Sequence, residues 1–387
     1  MESPLYKNFG DKENNFKIIN QQWGRREKMN VLLEKMEESK QKFQVENFDL
    51  NDLKVGSVNI RVFGTGGSGN NMVSWLYKKG IKGAEVLACN TDSQHLKIVE
   101  ADKKFLIGKG VTRGLGCGGD PNKGAEAANE SLGEIKEYLK NSDMVFVCAG
   151  MGGGTGTGSA PFIARVAKDT NAIVIGVVTM PFSIERARVD KAEWGLQELR
   201  KHVDTAIIID NNRLVQIAGN LPLQQAFAVA NELIASMIKG IVETISTPSL
   251  VNLDYADVRA IMKGGGVASI GVGSSDTKNR AEEAVKSALE NPLLEVDYEG
   301  ATGALIHVEG GPDMTLEEIN KVGEMITEKL DRDANVIWGA RVSENMKGKL
   351  LVMSIVTGVT SPWLLGETKH KEMEKQYSDE LGIELLN

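Results

Sequence analysis

Short apolar runs and stretches of helical period take turns along most of this chain. Strand-like runs fall near Val58–Phe63, Glu85–Cys89, Phe105–Ile107, Met144–Cys148, Ala172–Thr179 and Thr205–Ile209, with helical stretches between them. Apolar strands joined by helices predict an α/β fold, a doubly wound parallel sheet. A longer helical segment from Pro222 to Ile245 starts at a proline and puts Leu223, Phe227, Ala230, Ile234, Met237, Ile241 and Ile245 near one stripe. At 1.5 Å per residue it runs ~35 Å, core-facing and long enough to bridge two domains. Beyond it, strands at Val267–Val272, Gly303–Val308, Val336–Arg341 and Lys349–Val356 alternate with helices near Lys278–Glu290 and Leu316–Leu330. These predict a second, smaller α/β domain ending near Val359.

The pattern divides the chain into a polar N-terminal arm (1–54), a first α/β domain (55–221), a central helix (222–246), a C-terminal α/β domain (247–360) and a flexible tail (361–387). Inside the arm, Met29, Leu32, Leu33 and Met36 sit at helical spacing within Arg25–Phe43, which predicts an amphipathic helix. The tail is charged and then closes on Leu381-Gly382-Ile383-Glu384-Leu385-Leu386. That hexapeptide reads either as a frayed terminus or as a partner-docking peptide.

Composition narrows the function classes. At 387 residues, with 41% hydrophobic and 25% charged positions, the chain can bury about two substantial cores. A net charge of -8 argues against a broad nucleic-acid-binding face, which needs a basic surface. Cys89, Cys117 and Cys148 are far apart, suggesting neither a disulfide framework nor a metal cluster, and they read as reduced thiols of a cytoplasmic protein. No run approaches the ~20 apolar residues of a membrane span, and the polar first residues do not form a signal peptide.

The chemistry lies in glycine. Gly152-Gly153-Gly154-Thr155-Gly156-Thr157-Gly158 directly follows the apolar run ending at Ala149, and a helix is expected from about Ser159. A strand, a glycine loop and a helix N-terminus form a cradle for phosphate, because backbone N–H groups converge there and the helix dipole favours an anion. The loop lacks the Lys-Ser/Thr ending of a P-loop, so neutralising charge must come from elsewhere. Gly64-Thr65-Gly66-Gly67-Ser68-Gly69-Asn70 satisfies the dinucleotide fingerprint, with Asp92 some twenty residues on, but a third loop, Gly114–Pro121, exceeds what one pyrophosphate needs. After the central helix comes Asn252-Leu253-Asp254-Tyr255-Ala256-Asp257. If a helix starts there, the two aspartates share a side and can polarise a water; alternatively, Asp254 simply caps a helix beginning at Tyr255. With the central helix between them, this pair lies ~20 Å or more from its own phosphate loops and is placed to act on the nucleotide of the next molecule.

These strings, together with NTDSQ, GLGCGGDP, PF..E and NLDYADVRAIM in that order from about Val58 to Val359, resemble the tubulin/FtsZ superfamily, most closely its FtsZ branch. The resemblance implies a GTP-binding domain, a central helix, a second domain, and head-to-tail filaments in which one subunit's acidic loop completes the GTPase site of its neighbour. Carried over by position, Gly66, Gly67, Ser68, Gly69 and Asn70 hold phosphates, and Gly152, Gly153, Gly154, Thr155, Gly156, Thr157 and Gly158 form the main cradle. Asn90 and Asp92 belong to the next loop, Glu185 meets the ribose, Asn211 and Phe227 flank the base, and Asn252, Asp254 and Asp257 are the catalytic loop supplied in trans. Mg²⁺ is the expected counterion of GTP or GDP.

Two departures follow from the same comparison. Glu185-Arg186-Ala187-Arg188 is one residue shorter than the family pattern, so Arg188 or Arg186 is the phosphate-side cation, with Arg188 preferred. Asn231 stands where the FtsZ branch usually has Asp, and its amide still offers an acceptor and a donor to guanine. The polar arm and Asn231 resemble archaeal versions. The resemblance further implies cytoplasmic assembly at the mid-cell division site, a membrane-anchoring partner bound through the tail, and a possible second paralogue in the ring. Against this stand a GTP-dependent scaffold with negligible hydrolysis and, more remotely, an NAD-dependent oxidoreductase.

Overall fold

The computed structural model describes residues 58–363, Pro248 excepted. The expected N-terminal arm with its amphipathic helix, and the tail hexapeptide, lie outside the described residues.

Six parallel strands, β1 (Ile60–Thr65), β2 (Ala84–Asn90), β3 (Lys103–Leu106), β4 (Met144–Gly150), β5 (Ile173–Met180) and β6 (Thr205–Asp210), stand in the order 3-2-1-4-5-6. β5 is buried along its whole length and β4 up to its last residue, which is why both read as apolar runs and not as alternating patterns. One face of the sheet is covered by α1 (Gly66–Lys79), whose Met72, Val73 and Leu76 pack with Ile60, Val62, Phe146 and Ile175. The other face is covered by α2 (Pro121–Glu130), α3 (Thr155–Lys168) and α4 (Ala187–Arg200), which pack Ala127, Ile163 and Leu196 against Phe63, Val145 and Val178.

The central helix, α5 (Leu223–Ser246), packs against α1 and buries Ala226, Ala230, Ile234, Met237, Ile238 and Ile241. The expected stripe is right from Ala230 onward, but Leu223 is 70% exposed and Phe227 38% exposed, so the first turn projects out of the core. By length and mean hydropathy (1.2) α5 passes as a candidate span, as a buried core helix can, although Gln224, Gln225, Asn231, Glu232 and Lys239 interrupt its apolar run. Its buried residues are spent on the protein's own core.

After α6 (Tyr255–Met262), strands β7 (Gly266–Ser275), β8 (Gly303–Gly310), β9 (Asn335–Val342) and β10 (Leu350–Thr357) extend the same sheet, giving the full order 3-2-1-4-5-6-7-10-8-9. β10 runs antiparallel to both β7 and β8, and β9 lies parallel to β8. The join between the two halves is narrow: β7 meets β6 only at Thr205–Gly266 and Ala206–Val267.

Candidate nucleotide site at the strand switch point

In a 3-2-1-4-5-6 sheet the connections leave β1 and β4 in opposite directions, and the crevice between their carboxyl ends is where ligands bind. Both glycine loops emerge there. Thr65 is in register with Ala149, so the two chains leave the sheet side by side. They also touch: a Cβ added to Gly66 would lie 2.7 Å from the Gly156 nitrogen, and one added to Gly156 would lie 2.7 Å from the Gly150 oxygen.

Each loop opens into a helix of 14 residues with no side-chain cap, α1 after Thr65 and α3 after Gly154. Uncapped first-turn N–H groups at two adjacent helix ends make a site for an anion. The third glycine loop differs, because Asp120 caps α2 by accepting from the Asn122 N–H at 2.9 Å, so this loop forms a wall. α3 starts at Thr155, four residues before the expected Ser159. The glycine run itself forms the first turn, through Gly158 N–H to the Gly154 carbonyl (3.1 Å) and Gly152 N–H to Thr157 Oγ1 (2.9 Å).

The glycines divide into two classes. Gly69 abuts the Cys148 carbonyl, Gly154 lies against Cys117 and Asp120, and Gly158 lies against the Pro121 carbonyl; these positions are filled by protein. Gly67 and Gly153 face open space, with no atom within 4 Å of an added Cβ. Ser68 pairs with Thr179 across 3.2 Å. Asn70, expected among the phosphate contacts, is fully buried and donates from Nδ2 to the Cys89 carbonyl at 3.0 Å. That bond ties α1 to β2, and Asn70 Oδ1 is buried without a partner. Asn90 Oδ1 accepts from the Thr91 and Asp92 N–H groups, Asp92 accepts from the Gln94 and His95 N–H groups, and Thr155 pairs with Thr91 at 2.7 Å. The Asn90–Asp92 segment is thereby fixed against the head of α3. Burial pushes the Cys89 and Cys148 thiols up to about 12, which leaves them unreactive.

Glu185 folds back on its own turn, accepting from the Phe182 N–H (3.0 Å) and pairing with Arg188 (2.6 Å). Arg188 also lies against the main loop with its backbone and Cβ: a Cβ added to Gly152 would meet the Arg188 carbonyl oxygen at 2.7 Å. Arg186 sits at φ +37°, a strained conformation for a residue with a side chain. Sequence reasoning missed Lys191, whose Nζ donates to the Gly119 carbonyl at 2.7 Å. Its spacing of three from Arg188 on α4 was the available signal. It also missed Phe182, which meets Phe227 edge to face with ring centroids 6.2 Å apart. Asn231 lies one helical turn beyond Phe227 and is half-buried. Asn211 opens the next short helix, and its neighbour Asn212 holds Ser183 through hydrogen bonds of 2.9 and 3.1 Å.

The acidic loop is elsewhere. Asp254 and Asp257 form a reciprocal capping box at the head of α6: Asp254 Oδ1 accepts from the Asp257 N–H (2.9 Å) and Asp257 Oδ2 accepts from the Asp254 N–H (3.0 Å). The capping reading of Asp254 holds, and the cap is reciprocal, each carboxylate using one oxygen for it. Tyr255, between them, donates to the Asp143 carbonyl at 2.7 Å, at the amino end of β4. The glycine loop leaves the carboxyl end of the same strand, seven residues long and so about 20 Å away.

A glycine cradle at a switch point is a general device, and comparison with known proteins decides among its users. Residues 59–219 match the model of the Tubulin/FtsZ family, GTPase domain, and residues 266–360 that of the FtsZ family, C-terminal domain. The chain belongs to the tubulin/FtsZ family. It is 55% identical to cell division protein FtsZ 2 of Methanocaldococcus jannaschii over 84% of this chain and 87% of that protein. It is 53% identical to cell division protein FtsZ 2 of Halobacterium salinarum, over 83% of this chain and 81% of that one. A solved M. jannaschii structure, an empty FtsZ dimer, superimposes with a TM-score of 0.74 at 49% identity, covering 80% of this chain and 90% of its own. As a tubulin/FtsZ-family GTPase, the protein binds guanine nucleotide and hydrolyses GTP, and the dinucleotide-oxidoreductase alternative is overturned.

Proposed function

We propose that this GTPase is a cell-division protein that polymerises head to tail, and that the Asn252/Asp254/Asp257 loop of one subunit completes hydrolysis on the nucleotide held at the neighbour's glycine loops. The observation that carries this reading is the position of the acidic loop, bound at the amino end of β4 while the glycine loop leaves its carboxyl end. Acids about 20 Å from their own phosphates cannot act on them, but stacking subunits pole to pole brings the two together. The carboxylate oxygens not used in the capping box are the ones placed to orient a water. Gly67 and Gly153 give the phosphates room, Arg188 and Lys191 supply cationic charge, Phe182 and Phe227 bracket the base, and Asn231 reads it.

Mg²⁺ in this reading rides on the nucleotide's phosphates. Among the described residues no three His, Cys, Asp or Glu side chains group as a metal cage, and the Asp92 carboxylate already caps two N–H groups. When bound, the ion neutralises phosphate charge. The protein's own residues set position and water access. Division of labour follows the sequence: a GTP-binding domain to residue 221, the central helix to 246, and a domain to 360 that brings the catalytic loop.

Asp257→Ala is expected to keep GTP binding and lose turnover at least 100-fold, measured as phosphate release above the assembly threshold. A rate per subunit that does not change with protein concentration would overturn the shared site. We assign the tail hexapeptide Leu381–Leu386 to a membrane-anchoring partner at the cytoplasmic mid-cell site. Deleting 381–387 should leave GTPase activity intact and abolish recruitment; unchanged localisation refutes the assignment. The relatives' numbered names, FtsZ 2, fit a second paralogue in the same ring.

A further inference from the structure

The capping box fixes Asp254 and Asp257 relative to α6, but says nothing about what fixes α6 relative to the sheet. Two contacts do so. At the far end of the helix, Thr205 Oγ1 at the base of β6 donates to the Met262 carbonyl at 2.5 Å. At the near end, within the box itself, Tyr255 Oη donates to the Asp143 carbonyl at 2.7 Å and accepts from Arg259 Nη1 at 3.2 Å, so its proton has one direction. Asp143 is itself a junction. Its carbonyl also accepts the Ile173 N–H (2.8 Å), its N–H donates to the Asn59 carbonyl (2.9 Å), and its carboxylate accepts the Asn59 N–H (2.8 Å). The starts of β1, β4 and β5 meet at this one residue.

We infer that Tyr255 is a positioning residue for the trans GTPase reaction: its phenol anchors the acid-bearing end of α6 to the base of β4, setting where Asp254 and Asp257 stand when they meet a neighbour's nucleotide. The inference rests on the shared-site reading above. Buried Leu253 against Gly339 and the Val251–Ala340 bridge hold the approach to the box, so removing the phenol from this helix about 12 Å long permits a small shift of its acid-bearing end, not its release. A displacement near 1 Å at reacting groups lowers rate up to about 100-fold. A partly populated displacement therefore predicts about a tenfold loss in kcat for Tyr255→Phe, with KM for GTP unchanged because the nucleotide pole is untouched.

Subunit mixing tests this. Gly153→Asp places a carboxylate in the open space of the phosphate cradle and disables that subunit's pocket while leaving its acid loop. Asp257→Ala disables the acid loop and leaves the pocket. An equal mixture should recover hydrolysis at contacts between the first subunit's loop and the second's pocket. Adding Tyr255→Phe to the Gly153→Asp subunit should lower the recovered kcat about tenfold at constant KM. Added to the Asp257→Ala subunit, it should be silent, because that loop is already disabled. Arg259→Met, which withdraws a donor but spares the phenol–carbonyl bond, should give a smaller loss in the same placement. Equal losses from both placements, or none in either, overturn the positioning role. If the starting mixture recovers nothing, the shared site fails instead.

Discussion

Neighbouring glycines in the main loop should respond oppositely to one added methyl group. At Gly154 the new Cβ would lie 2.6 Å from Cys117 Cβ, 2.8 Å from the Asp120 nitrogen and 3.0 Å from its oxygen. Restoring ordinary contact needs about 1 Å of movement in a segment that also caps α2. Overpacking of this kind costs about 2–3 kcal/mol, so Gly154→Ala should lower the nucleotide-free Tm by roughly 3–5 °C in a chain of this size. At Gly153 the methyl meets nothing within 4 Å, and φ lies outside the left-handed region. Gly153→Ala should therefore stabilise the nucleotide-free protein by about 0.4–1 kcal/mol and raise its Tm slightly, by restricting the unfolded chain. Its cost appears on binding, where a methyl placed in phosphate space at about 2 kcal/mol weakens affinity about 30-fold. With GDP at 100 times the unmodified Kd, the stabilisation of about 2.7 kcal/mol should shrink to about 0.9 kcal/mol. Thermal melts of the three proteins with and without GDP read both effects. If Gly153→Ala destabilises the free protein and keeps the full GDP shift, the division of the loop into packed and ligand-facing glycines is wrong.

Two further outcomes are expected. Arg186→Gly should stabilise the protein by about 0.5–1 kcal/mol in urea unfolding, since relief of positive-φ strain outweighs the glycine's extra unfolded-state entropy; a destabilised variant would mean the turn is not strained. His307 is buried with Nδ1 lacking a partner, and burial, then Arg341, lower its pKa to about 4. The unfolded state therefore binds more protons between about pH 6.5 and 4, so stability should fall by a few kcal/mol as pH drops through that window. His307→Leu should flatten this part of the pH–stability curve, and an unchanged curve would show that His307 does not carry it.

The sequence disclosed strands and helices well because most of β4 and all of β5 are buried, so their composition is set by packing alone. It also drew attention to the glycine run and the acid pair, because each has a narrow chemical use. Where expectation and structure part, tertiary contacts decided. The head of α3 starts early because threonine and glycine bonds form its first turn. The stripe on α5 misled at Leu223 and Phe227 because periodicity cannot tell where a core stops. A string match gives position but not direction, so it did not show that Asn70 donates to the Cys89 carbonyl. Lys191 had a local signal in its spacing from Arg188, whereas the meeting of Phe182 with Phe227 depends on the fold and is encoded by no local pattern.

The narrow join between β6 and β7 has a mechanical meaning. β5 and β6 share six register pairs and β7 and β10 share eight, whereas β6 and β7 share two. In a plate built from unequal seams, compliance concentrates at the weakest one. A pull exerted from pole to pole on such a subunit is taken up as a crease along Thr205–Ala206 and Gly266–Val267, with the strands on either side turning as stiff leaves.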